Sequence, residues 1–146
     1  MPRLSAPCCA ASANDDGVSA PLRIRLPWLL VSTMYIGLIF FGSSRPYLRP
    51  PGPDFALKDK LAHCTEYGVL ALLVSRAIRP GRDVPRGVEI LWFVALGAGI
   101  AGLDELFQGT IAGRVTDIRD WTADVTGLTI GATISVLLAR RKRAVP

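Results

Sequence analysis

Four stretches of the chain are apolar through their middles, and none alternates with the period of two that marks a half-buried strand. They run from about Leu26 to Gly42, Leu61 to Ile78, Val88 to Phe107 and Trp121 to Ala139. Each approaches the roughly 20 apolar residues that carry a helix through a bilayer. Separate segments cross lipid as helices, because each helix closes its own backbone hydrogen bonds. The pattern predicts an all-α fold, a bundle of four transmembrane helices over 26–42, 61–78, 88–107 and 121–139. Proline and glycine mark the breaks. "SSRPYLRPPGP" follows the first segment, and Arg79-Pro80-Gly81 ends the second.

Composition agrees with a small multi-pass membrane protein. Half of the 146 residues are hydrophobic, and the mean hydropathy is +0.35. That length suits one domain. Residues 1–22, rich in Ser, Ala, Pro and Asp, read as a disordered tail, and 23–143 as the membrane domain. Cys8 and Cys9 lie in the tail without a preceding apolar stretch, so they do not mark a lipoprotein cleavage site. No CxxC spacing supports a zinc ribbon or a redox pair.

The net charge of +5 is distributed unevenly. Arg3, Arg23, Arg25, Arg76, Arg79, Arg82, Arg86, Arg140, Arg141, Lys142 and Arg143 fall on one side of the predicted bundle. The other side has Arg45, Arg49, Lys58, Lys60, Arg114 and Arg119, and most of the acids. The excess of Lys and Arg places both termini in the cytoplasm. Much of the positive charge is therefore an orientation signal. A basic groove interleaved with aromatics is missing, which argues against nucleic acid as a partner.

This orientation gathers the polar residues of three helices at the outward side. Asp59, Lys60, His63, Glu66 and Tyr67 open the second helix, with Asp59, His63 and Glu66/Tyr67 on one face. Asp104, Glu105 and Gln108 close the third, and Asp120 and Asp124 open the fourth. Arg114 lies in the loop between the last two groups. Glu66 falls roughly 9 Å below Lys60 at 1.5 Å per residue, inside the outer half of a roughly 30 Å core. A carboxylate there costs on the order of 1–3 kcal/mol, so these groups must face each other, water, an ion or Arg114. One reading is a hydrogen-bonded plug that fixes helix packing. The other is a functional pocket, suited to a cationic or polyhydroxylated ligand. His63, the only histidine, could be a base, a metal ligand, a pH sensor or a structural residue bonded to Glu66 or Asp104. Oxygen-rich surroundings would favour Mn²⁺ or Mg²⁺. "GAGIAG" at Gly97–Gly102 fits GxGxxG, but no βαβ unit surrounds it. Gly97, Gly102, Gly127 and Gly131 read as helix-packing positions.

At these residues the sequence resembles the VanZ-like family of small bacterial membrane proteins. The resemblance is carried by Asp59, Lys60, His63 and Tyr67, then Asp104, Glu105, Gln108 and Arg114, then Asp120, Gly127 and Gly131, and it covers about residues 27–140. Asp124 stands where that family usually has Asn, and "QGTIAGR" lacks the aromatic and proline that often precede the Arg. The resemblance implies a four-helix protein of the inner (cytoplasmic) membrane, tied to the cell envelope. The family is named for an accessory factor in resistance to the glycopeptide antibiotic teicoplanin. It implies no reaction, and a non-enzymatic role is expected.

Three functional readings stand side by side. The first is a protein of the lipid bilayer whose outward pocket binds an envelope amphiphile or precursor head group. The second is a metal-assisted hydrolase of a lipid-linked substrate, with Asp104, Glu105 and Asp124 holding a divalent cation and His63 as base. The third is a structural or assembly subunit, in which the small-residue faces would support a homo-oligomer.

Overall fold

The computed structural model describes residues 22–46, 57–81 and 84–144. Apart from Leu22, the expected tail lies outside the described residues, as do Arg49, Arg82 and most of the proline-rich connection. Four helices carry the fold: α1 (Leu26–Ser43), α2 (Lys58–Ala77), α3 (Arg86–Gln108) and α4 (Ile118–Ala144). Two residues before α1, Arg23–Ile24 (β1), pair antiparallel with two residues after α2, Ile78–Arg79 (β2). The Arg25 N–H continues this ladder to the Ala77 carbonyl at 2.8 Å. The start of α1 is thereby tied to the end of α2, so these helices run antiparallel. This small β-pair was not part of the expected all-helical pattern.

Local chemistry sets the helix boundaries. Pro27 sits in the first turn of α1, where its missing N–H costs nothing. Pro85 precedes the first residue of α3. Asp117 immediately precedes α4, and its Oδ1 accepts the Arg119 N–H at 2.9 Å, as an N-capping carboxylate does. α2 starts three residues before the apolar pattern does, with Asp59 in its first turn, where the helix dipole favours an acid.

α2 and α4 form the tightest seam. Gly127 of α4 meets the Cys64 backbone of α2, and Gly131 meets the Gly68 carbonyl. A Cβ at either position would run into main-chain atoms that cannot rotate away. Gly97 of α3 is filled against by the Leu128 side chain, whereas a Cβ on Gly102 would meet only Trp121 at an ordinary contact distance. The buried apolar core follows this seam: Tyr67, Leu70, Ala71 and Val74 of α2 against Leu128, Ala132 and Val136 of α4, with Ile39 and Phe93 closing it from α1 and α3. Trp121 donates its indole N–H to the Ala98 carbonyl at 3.1 Å and links α4 to α3.

The outside of the bundle is apolar as well. Met34 is 76% exposed and Trp92 70%, beside exposed Leu38, Phe41, Leu103, Leu106, Ile130 and Leu138. Water would not tolerate a patch this extensive on a monomer, and lipid tails would. Leu26–Ser43, Arg86–Gln108 and Ile118–Ala139 are long and apolar enough to cross a membrane. α2 matches them with 20 residues, but Asp59, Lys60, His63 and Glu66 make its first half too polar for the same criterion. The exposed threonines of α4 satisfy their hydroxyls within the helix: Thr126 donates to the Thr122 carbonyl and Thr129 to that of Val125, at 2.7 and 2.8 Å.

Candidate functional site

The end of α1, the start of α2, the end of α3 and the start of α4 meet at one end of the bundle. Most of the acids among the described residues gather there. Helical spacing brings Asp104 and Gln108, and likewise Asp120 and Asp124, onto single faces. The loop from Gly109 to Asp117 folds back over them through two turns, from Gln108 to Ile111 and from Ile111 to Arg114. Gly113 adopts a φ of 85° there, in the left-handed region that favours glycine.

Three linked networks fill this end. In the first, the Ser43 hydroxyl donates to Asp104 Oδ2 at 2.9 Å, and the Gln108 amide donates to the same oxygen at 3.1 Å and to Ser43 Oγ at 3.2 Å. Arg114 donates through Nη1 to Gln108 Oε1 at 3.1 Å and through Nη2 to the Arg45 carbonyl at 2.9 Å. Arg114 thus latches the α3–α4 loop to α1.

In the second network, Lys60 bridges Asp117 Oδ2 at 3.0 Å and Asp120 Oδ1 at a shorter separation, with Asp59 at 3.8 Å. Asp117 lies outside the apolar spans. The Arg119 backbone N–H, and then Lys60, hold its carboxyl below the usual value of 3.8. A depressed folded-state pKa contributes stability above the ordinary value and loses it as pH falls through the lowered one. Asn at position 117 keeps the cap through its amide oxygen and removes the charge together with the second oxygen that accepts from Lys60. Wild type is therefore expected to melt above Asp117→Asn at about pH 6, and the difference to shrink as the pH falls below 3.8 and through the lowered value, in paired thermal melts in detergent.

The third network is the most buried. His63 Nδ1 lies 3.0 Å from Asp124 Oδ1, with the two residues 8% and 0% exposed. Glu105 Oε2 accepts the Asp117 N–H at 3.1 Å, and the Thr116 hydroxyl donates to the Glu105 carbonyl at 3.1 Å. At this end, among the described residues, four buried side-chain atoms have no hydrogen-bond partner: Tyr67 OH, Asp104 Oδ1, Glu105 Oε1 and Asp124 Oδ2. A buried acceptor left without a donor costs about 1–3 kcal/mol, so this end of the bundle favours an occupant that supplies donors or positive charge.

A family model described as VanZ/LLP1 matches residues 24–139. The chain belongs to the VanZ/LLP1 family. It is an integral membrane protein, and the matched range includes every residue of the three networks. No curated protein and no solved structure matches the chain.

Within this VanZ/LLP1 chain, His63, Tyr67, Asp104, Glu105, Gln108, Asp120 and Asp124 come together as buried neighbours, and Lys60 and Arg114 join them from the rim. Asp59 sits exposed beside Lys60. Glu66 does not join: its side chain is exposed, and its backbone carbonyl accepts the Tyr35 hydroxyl at 3.2 Å. His63 pairs with Asp124, where Glu66 or Asp104 was the expected partner. Ser43 and Asp117 are participants that the pattern of the sequence did not flag. For Asp117 a signal existed, since an Asp just before an apolar helix is a capping signature.

Proposed function

We propose that this protein spans the inner membrane four times, α2 included, with both termini in the cytoplasm. Its polar end then faces outward and holds the head group of a cell-envelope amphiphile or precursor. The observation that carries this reading is the set of buried carboxylate oxygens left without donors on Asp104, Glu105 and Asp124. They call for a ligand rich in N–H or O–H groups. The burial of these side chains, none above 3% exposed, sets its size: an amine or hydroxyl enters, and the bulk of the head group rests at the rim near Lys60 and Asp117. The distribution of Lys and Arg supports the orientation. Family membership links the site to glycopeptide tolerance through the family's name alone.

Orientation is tested in a variant lacking Cys8, Cys9 and Cys64. Single cysteines at positions 59 and 114 are expected to react with a membrane-impermeant maleimide in intact cells, and one at position 79 only after lysis. Labelling of 59 and 114 on opposite faces would exclude the arrangement. Function is tested in a strain deleted for the gene and challenged with teicoplanin. The wild-type gene is expected to restore tolerance, while His63→Ala, Asp104→Ala and Arg114→Ala lose it at unchanged membrane levels. Unaltered tolerance in all three would remove the reading.

A further inference from the structure

His63, Glu105 and Asp124 reach the same point from α2, α3 and α4. One ligand atom from each lies within 4.8 Å of the other two. All three residues are buried, at 8%, 3% and 0% exposure. Around an ion held by nitrogen and oxygen ligands at about 2.1 Å, neighbouring ligand atoms stand about 3.0–3.4 Å apart and opposite ones about 4.2 Å. The His63 Nδ1 to Asp124 Oδ1 separation of 3.0 Å already matches a neighbouring pair.

A second, independent observation points to an occupant. Glu105 Oε1 and Asp124 Oδ2 are buried and without partners, as is the hydroxyl of the fully buried Tyr67, one helical turn from His63. Lys60, the nearby ammonium, is engaged with Asp117 and Asp120. We propose that His63, Glu105 and Asp124 bind one divalent first-row transition-metal ion between α2, α3 and α4. Two carboxylates balance its charge. The imidazole selects against Ca²⁺ and Mg²⁺, which prefer all-oxygen shells. The bond between Glu105 Oε2 and the Asp117 N–H orients that ligand from outside the site. A neighbouring trio, Asp59, His63 and Asp120, is the weaker alternative, because Asp59 is exposed and Asp120 is held by Lys60.

The ion takes the Glu105 and Asp124 oxygens, which leaves Asp104 Oδ1 and the rim for a head group, and it is read separately from tolerance, as metal content. Protein purified in detergent without chelator is expected to carry about one equivalent of Mn, Fe, Co or Zn by elemental analysis. After stripping with EDTA it is expected to rebind Mn²⁺, followed as loss of the free-ion signal in electron paramagnetic resonance. His63→Ala and the isosteric Asp124→Asn are each expected to weaken Mn²⁺ at least tenfold. Thr126→Val, on the exposed face of α4, is expected to bind as wild type does. Circular dichroism and gel filtration report whether each variant stays helical and monodisperse, and Asp124→Asn decides the matter if His63→Ala does not fold. Stripped, folded wild type that takes up neither Mn²⁺ nor Zn²⁺ would overturn the assignment, as would wild-type affinity in Asp124→Asn.

Discussion

Gly127→Ala is expected to destabilise the protein by about 3 kcal/mol, the upper end of what overpacking costs, while Gly37→Ala is expected to be neutral or slightly stabilising. The two substitutions add the same methyl group to a helix and differ in what it meets. At Gly37 there is open space within 4 Å, and alanine has the better helix propensity. At Gly127 the new Cβ is driven into the Cys64 carbonyl and the main-chain carbon behind it. A side chain there could rotate aside, but backbone held in a helix cannot, so α2 and α4 must separate. The effect reaches the polar end, because Gly127 is one turn from Asp124 and Cys64 adjoins His63. A wider seam lengthens the His63–Asp124 contact. Titration of each purified variant with sodium dodecyl sulfate, followed by circular dichroism, gives the comparison. Equal midpoints for Gly127→Ala and wild type would show that the seam is looser than described.

The helices were legible because lipid leaves so few alternatives for an apolar run. Their ends were less so, since polarity ends an apolar pattern without ending a helix. α2 begins at Lys58, although the pattern begins at Leu61, and α4 continues past Ala139 into the basic run. The two-residue pairing of Arg23–Ile24 with Ile78–Arg79 has no periodicity to read. At the site, contacts within one helix were visible in the spacing, as for Asp104 and Gln108. Contacts between helices were not. Ser43 and Asp104 are 61 residues apart in the chain, and nothing in either neighbourhood names the other. Glu66 shows the limit of grouping by spacing. Three residues beyond His63 it is rotated by about 60° around the helix, while Tyr67 is rotated by only about 40° the other way. The buried stripe of α2 follows Tyr67, Leu70, Ala71 and Val74, which leaves Glu66 outside. The partner of His63 depends on the crossing of α2 and α4, and that crossing is set by glycines whose absent side chains carry no chemical label.

The His63–Asp124 pair gives the second large effect, and its size depends on which partner is removed. With a chelator present, His63→Leu is expected to cost on the order of 3 kcal/mol, because it strands a carboxylate that is 0% exposed. Asp124→Asn keeps the shape and a hydrogen bond to the imidazole, and its cost is expected to be about 1 kcal/mol. In the Asp124→Asn background no charge is left to strand. His63→Leu is then expected to cost only about 1 kcal/mol, a coupling of about 2 kcal/mol between the two positions. The detergent unfolding assay measures all four corners of this cycle. Additive effects would mean that Asp124 does not depend on His63 for its compensation, and Lys60, one helical turn before His63, is already shared between Asp117 and Asp120. A repeat with saturating Mn²⁺ separates the roles of the imidazole. An ion bound by the remaining carboxylates would compensate Asp124 in place of His63, so the coupling is expected to shrink if the metal binds and to stay at its chelated value if it does not.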